Sequence, residues 1–169
     1  MQEEMLNIKN IDDLILIQQY LTFQMNGTSY GLEIINIKEI IKFRDLTEVP
    51  TTPDFILGVI NLRGRVVPVI DLGLHFVGKP VIPTKRTSII IYEIKVSDCD
   101  LEIGITVDIV NEVIDINTND IEPSPFFGNK INTKFISGMA KVAGIFLILL
   151  NIENVFSADE MSIVGSIEN

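Results

Sequence analysis

The sequence predicts an all-β protein built from two copies of one small β unit that share an apolar seam. Three observations carry this. Apolar residues recur with a period of two, as in "YLTFQMNGTSYGLEI", where Leu21, Phe23 and Met25 fall on one face and Thr22 and Gln24 on the other. The β-branched runs are punctuated by Gly, Pro and Asn/Asp. The chain also repeats itself: "GLEIINIKEII" from Gly31 returns as "GITVDIVNEVI" from Gly104, and "FILGVINLRGRVVPVIDLGLHF" from Phe55 returns as "FISGMAKVAGIFLILLNIENVF" from Phe135.

The elements follow in order. Residues 1–17 carry little pattern; "IDDLILIQQ" reads as a short helix or a loose arm, so an N-terminal arm with partial disorder is expected. The main domain spans 18–156, with the first copy at about 20–80 and the second at about 85–156. Asn26-Gly27 between two alternating runs is a hairpin signal. A second hairpin joins "TSIIIYEI" to "LEIGITVDIV" through the polar turn "KVSDCD". In each copy a proline-bearing stretch, "PTTP" or "PSP", precedes a longer β return, and the extra length of the second copy falls in the loop "FFGNKINTK". Two units this small have marginal cores alone and gain by packing on one another. Ser157 followed by Glu160 is a capping box, which predicts a short C-terminal helix within 157–169.

Bulk properties exclude several classes of function. The 169 residues are 47% hydrophobic and 21% charged, with a net charge of −10. The isoelectric point is near 4.5 and the mean hydropathy is +0.36. An acidic chain without a Lys/Arg run lacks the footprint of a nucleic-acid binder, so no nucleic-acid partner is expected. The longest late apolar run, "VAGIFLILL", is far short of the roughly 20 residues of a membrane helix, so no membrane insertion is expected. The N-terminus begins with acids rather than a basic signal region, which favours a cytoplasmic location.

Chemistry is sparse. His75 is the sole histidine and has no partner set for base or zinc work, so it reads as structural. Cys99 lies between two acids in "SDCD", which disfavours its thiolate. "DINTND" begins like a calcium loop but has Asp120 at the glycine position and Phe126 in place of the closing glutamate. With no nucleophile–base pair, no metal site and no cofactor motif, the expectation is a non-catalytic protein without cofactors.

What remains is "GVINLRGRVVPVIDL", where Arg63 and Arg65 bracket Gly64 in an apolar run. The repeat sets Arg63 against Ala143 and Arg65 against Ile145, so the fold unit itself does not require charge there. Gly64 and Gly144 suggest a shared tight turn or bulge, at which the arginines point to water while Leu62 and Val66 point inward. The two arginines are then either solvated surface groups or recognition residues on a stiff loop.

The stretches Tyr30 to Ile40, Val49 to Leu72, Ile103 to Ile114, Ile121 to Pro125, Phe135 to Ala140 and Leu147 to Phe156, with the string Gly-Val-x-Asn-Leu-Arg-Gly-x-x-x-Pro-x-x-Asp-Leu at their centre, resemble the CheW family of chemotaxis adaptors. The resemblance implies two five-stranded SH3-like β-barrel subdomains with a third apolar core between them, and no catalysis. It implies a scaffold that couples methyl-accepting chemotaxis receptors, through their cytoplasmic helical tip, to the regulatory domain of the histidine kinase CheA, and that is recruited to membrane receptor arrays. It makes Arg63 the recognition arginine and Glu39 its acidic partner, with Ile37, Gly58, Asn61, Leu62, Gly64 and Arg65 in the same neighbourhood. Ile109, where many members carry glycine, and "KVAGIFLILL" depart from the family pattern. A CheW-like adaptor in a non-flagellar chemosensory array is the alternative. A small-ligand barrel or an enzyme would instead need one dominant interior pocket with convergent polar groups.

Overall fold

The computed structural model describes residues 16–95, 100–123 and 133–168. Cys99, most of the "KVSDCD" turn, most of the "FFGNKINTK" loop and residues 1–15 of the arm lie outside the described residues. Among the described residues ten strands run in chain order: β1 (Ile17–Met25), β2 (Thr28–Glu33), β3 (Ile37–Lys42), β4 (Ile56–Leu62), β5 (Arg65–Ile70), β6 (Ser88–Lys95), β7 (Asp100–Val107), β8 (Ile109–Asn117), β9 (Ile136–Val142) and β10 (Ile145–Leu150). Among the described residues there are two α-helices, α1 (Leu72–Val77) after β5 and α2 (Ala158–Glu168) after β10. Ile17, assigned above to the arm, already pairs with Asn117.

The strands form two five-stranded sheets. Sheet I has the order β8-β1-β2-β10-β9 and sheet II the order β3-β6-β7-β5-β4. Renumbering by the repeat (β1 to β6, β2 to β7, β3 to β8, β4 to β9, β5 to β10) turns one order into the other. The sheets do not follow the two sequence copies at about 20–80 and 85–156. Sheet I takes the β1–β2 hairpin from the first copy and β8, β9 and β10 from the second, and sheet II takes the reverse. The exchange is made by parallel contacts, Leu149 beside Gly31 in sheet I and Val69 beside Gly104 in sheet II. These are the same repeat positions, so the crossover is built twice.

The sheets curl into SH3-like barrels that are not closed by a complete strand ladder. In sheet II the loop after β3 meets β4 through the single Thr47–Val59 bridge, and in sheet I Glu122 meets Met139 in the same way. Each barrel has a small core of its own: Ile60, Leu62, Val67, Val69, Ile89 and Ile91 in sheet II, and Tyr20, Ile116, Ala140, Leu147 and Leu149 in sheet I. The largest core lies between the sheets, where Leu21, Phe23, Met25 and Leu32 meet Ile90, Tyr92, Ile103 and Ile105. The period of two explains this division, since successive residues on β6 alternate between the barrel core and the central core. Neither hairpin pair could bury both of its faces alone.

The helices seal this central core. Asp71 is fully buried and caps α1 by accepting from the Leu74 N–H at 3.0 Å and the Val81 N–H at 2.9 Å. The capping box before α2 forms as read from the sequence: Ser157 N–H donates to Glu160 at 2.9 Å and Glu160 N–H to Ser157 Oγ at 3.1 Å. His75 sits in α1. Its Nε2 lies 2.9 Å from the Val155 carbonyl and its ring 4.5 Å from that of Phe55, so it packs against the segment leading into α2.

Candidate functional site

The site is built on the β4–β5 hairpin. Arg63 and Gly64 are its two central residues, with φ of 53° and 83°. Positive φ at both positions is what a type I′ turn requires, and this turn matches the right-handed twist of the flanking strands. Ala143 and Gly144 repeat it at 51° and 80°. The backbone of the tip is therefore a property of the fold unit, and the arginine is an addition in one copy. Asn61 holds the turn, its Oδ1 accepting from the Gly64 N–H at 2.9 Å, while its own carbonyl accepts from Arg44 at 2.6 Å.

A two-residue turn fixes which side chains share a face. Leu62 pairs with Arg65, and Asn61 with Val66. Leu62 accordingly enters the barrel core, whereas Val66 is 41% exposed. The expectation that both point inward is thus corrected for Val66, which lies on the outer face with Asn61.

From the tip, Arg63 reaches across to β3. Its two terminal nitrogens donate to the two carboxylate oxygens of Glu39, each at 3.0 Å. The geometry is the bidentate fork of guanidinium on carboxylate. The Arg63 side chain remains 70% exposed, so the pair orients a charge at the surface rather than burying one. Beside it, Arg65 donates to Glu102 on β7 at 2.6 Å. Lys38 lies 3.2 Å from Glu93 on β6, and Glu93 stands directly opposite Glu102 in the β6–β7 ladder. A register shift between Ile37 and Glu39 lets the consecutive residues Lys38 and Glu39 both take part.

Six charges therefore ring one end of the sheet II barrel: Arg63, Glu39, Lys38, Glu93, Glu102 and Arg65. Glu93, Glu102 and Arg65 share the strand faces of Ile91, Gly104 and Val67, so the ring lies over the barrel core. Lys38, Glu93 and Glu102 were missed by sequence reasoning. The signal for Glu93 and Glu102 was a charge set inside the apolar runs "IIIYEIK" and "DLEIGI", and for Lys38 its place between Ile37 and Glu39.

The remaining expected residues divide. Ile37 is half-buried against the central core. Gly58 is packed by necessity: a Cβ there would stand 2.5 Å from the Thr47 carbonyl oxygen. Gly138, its repeat equivalent, is similarly crowded, with a Cβ position 2.9 Å from the Glu122 oxygen. Leu62 and Gly58 thus support the site from below, while Arg63, Glu39, Asn61, Gly64 and Arg65 form its surface. Among the described residues no group of three or more His, Cys, Asp or Glu could hold a metal ion, and no helix is long and apolar enough to cross a membrane.

Known proteins are similar to this chain in sequence and fold. The family model described as a CheW-like domain matches residues 19–160. The chain belongs to the CheW-like family. It is 33% identical over 150 residues to the chemotaxis protein CheW of Klebsiella aerogenes, covering 89% of this chain and 88% of that one. It is 32% identical to the chemotaxis protein CheW of Thermotoga maritima, covering 88% and 93%. The crystal structure of the scaffolding protein TtCheW from Thermoanaerobacter tengcongensis superposes with a TM-score of 0.75 at 36% identity, over 85% of this chain and 90% of that one. The CheW-like fold thus accounts for the two curled sheets.

Proposed function

We propose that this chain is a non-catalytic chemotaxis adaptor that couples methyl-accepting chemoreceptors to the histidine kinase CheA, with the Arg63–Glu39 corner as part of its contact surface. Family membership supports the adaptor role. The observation that carries the choice of surface is the arginine itself. The same turn exists twice, and only the copy at Arg63 presents a guanidinium, held in orientation by Glu39. An exposed pair contributes only about 0–1 kcal/mol to stability. Its use is in fixing the register of an incoming partner and rejecting others.

Receptor control then requires that two receptor states engage the adaptor–kinase complex with different free energies, because a scaffold that binds both equally transmits nothing. The chain is expected to act in the cytoplasm, at receptor arrays. The test is co-purification of the full chain with CheA and a receptor signalling fragment from the same organism, with kinase activity measured in its presence and absence. Arg63→Ala should keep the native fold and lose receptor control. Unchanged binding together with unchanged control in that variant would remove Arg63 from the surface, and failure of the wild-type chain to co-purify with either protein would remove the coupling role.

A further inference from the structure

Asn26-Gly27 closes the β1–β2 hairpin, and it is the one Asn-Gly pair in the sequence. Both residues are exposed, with φ of 51° and 79°, the two positive values of a type I′ turn. The tip is also tied to distant parts of the chain. The Asn26 N–H donates to Asp108 Oδ2 at 2.7 Å, and the Asp108 N–H donates back to the Gln24 carbonyl at 2.9 Å. The Asn26 carboxamide Nδ2 donates to the Lys79 carbonyl at 3.2 Å. It lies over Gly73, where a Cβ would stand 2.7 Å from Nδ2. Gly73 lies in α1 and Lys79 just after it, and α1 follows β5 of sheet II. One side chain thus clasps the tip of a sheet I hairpin to the segment leaving sheet II.

The same residues carry a reaction. Gly27 has no side chain to shield its backbone nitrogen, and nothing lies within 4 Å of where its Cβ would be. Met25 and Thr28 form the last pair of the ladder, so the Gly27 N–H is outside it. We propose that Asn26 is a site of spontaneous deamidation, gated by opening of this tip, and that the change releases the clasp. The Gly27 nitrogen gives its proton to solvent base and attacks Asn26 Cγ. The Cγ–Nδ2 bond breaks, ammonia leaves, and a five-membered succinimide closes. One water then opens the ring at either carbonyl, giving aspartate or the β-linked isoaspartate. The net exchange is carboxamide plus water for carboxylate plus ammonium.

The gate is geometric. Ring closure needs the Gly27 nitrogen on the Cβ side of Asn26, and a type I′ turn holds it on the far side. The bonds to Asp108 and Lys79 keep the tip in that turn, so the reaction runs from the locally opened state. The aspartate product sets an acceptor where a donor faced the Lys79 carbonyl, and it adds a charge beside Asp108. The isoaspartate product also brings an extra backbone carbon into a two-residue turn. Neither product can restore the clasp.

The test follows the full chain in neutral to mildly alkaline buffer by peptide mass spectrometry, with isoaspartate separated from aspartate. Asn26 should convert ahead of every other asparagine, give both products with isoaspartate in excess, and react faster as hydroxide rises. Asp108→Ala should react about tenfold faster, since it removes one charge-assisted bond from the closed tip. The chain unfolded in urea gives the ungated rate and should be faster than folded wild type. Asn26→Gln should keep its amide, because the longer side chain must close a six-membered ring. Asn26→Asp should lower the melting temperature and speed amide hydrogen exchange at positions 26 and 108. Aspartate without isoaspartate would mean direct hydrolysis and overturn the succinimide route. Earlier conversion of another asparagine would overturn the site. No acceleration in Asp108→Ala or in urea would overturn the gate, and an Asn26→Asp variant as stable as wild type would overturn the clasp. Because these readouts need neither kinase nor receptor, they stand apart from the coupling role of Arg63.

Discussion

Glu93 on β6 and Glu102 on β7 stand directly opposite one another in the sheet II ladder, and each has a cation on its far side: Lys38 at 3.2 Å from Glu93 and Arg65 at 2.6 Å from Glu102. Like charges directly opposed on adjacent strands are destabilising, by amounts comparable to what favourable cross-strand pairs contribute. Arg65 is therefore more than a solubilising charge, since it offsets a repulsion that the strand pairing creates. Arg65→Ala should destabilise the fold by about 1 kcal/mol in urea denaturation, with the loss shrinking in high salt. In a Glu93→Gln background the same substitution should cost measurably less. A double-mutant cycle with no coupling between positions 65 and 93 would disprove the compensation.

The tip beside it separates stability from recognition. Arg63 holds φ of 53° at the first central position of the turn, a conformation that costs a non-glycine residue about 1–2 kcal/mol. Asn tolerates it better and is favoured before Gly in type I′ turns. Arg63→Asn should therefore leave stability unchanged or raise it by up to about 1 kcal/mol despite loss of the Glu39 pair, while impairing receptor control of the kinase. A clear drop in melting temperature would show that the ion pair outweighs the strain.

Gly58 is the contrasting case. The loop after β3 is pinned to β4 by Thr47 N–H to Val59 O at 2.9 Å and Val59 N–H to Thr47 O at 2.8 Å, and a Cβ on Gly58 would collide with that same Thr47 carbonyl. Gly58→Ala should cost about 2 kcal/mol or more in chemical denaturation, because the obstacle is backbone and cannot rotate away. Any loss of partner binding in this variant should scale with loss of folded protein. A variant as stable as wild type but deficient in binding would make Gly58 a contact residue instead.

These cases show what the sequence could and could not disclose. The strands were legible because the alternation of Leu21, Phe23 and Met25 with Thr22 and Gln24 is local, as was the Asn26-Gly27 turn. The capping box at Ser157 and Glu160 was equally local. Strand partnership was not legible: the repeat showed two similar units, but nothing local says that β2 lies beside β10 rather than β5. The exchange follows from Gly31 and Gly104 meeting Leu149 and Val69, residues far away in the chain. The same distance hid Glu93 and Glu102, and with them the partner of Lys38, from the site. Val66 was misjudged because its face depends on the length of the turn, and Arg-Gly does not advertise a two-residue type I′ turn as Asn-Gly does. Helix α1 was overlooked because "LGLHFV" is too short to show a helical period.

The fold also predicts its own alkaline limit. Tyr20 is buried in the sheet I barrel core, and its hydroxyl donates to Gln18 at 2.9 Å and lies 3.5 Å from Glu33. Burial, and then the neighbouring Glu33 charge and hydrogen bond, push its pKa up to about 12. Tyr30 and Tyr92 are raised as well, both chiefly by burial. In the unfolded chain these phenols ionise near pH 10. Between about pH 10 and 12 the native state therefore holds protons that the unfolded state has released, so stability falls as pH rises through this window and is fully retained below it. For Tyr20 the loss across the window should be about 2 kcal/mol. Denaturation midpoints measured from pH 8 upward, with tyrosinate absorbance followed in parallel, should fall steeply in the wild type and less steeply in Tyr20→Phe. An equally steep decline in that variant would place the alkaline transition on other groups, since the only titrating group removed is the one that burial, and then Glu33, hold protonated.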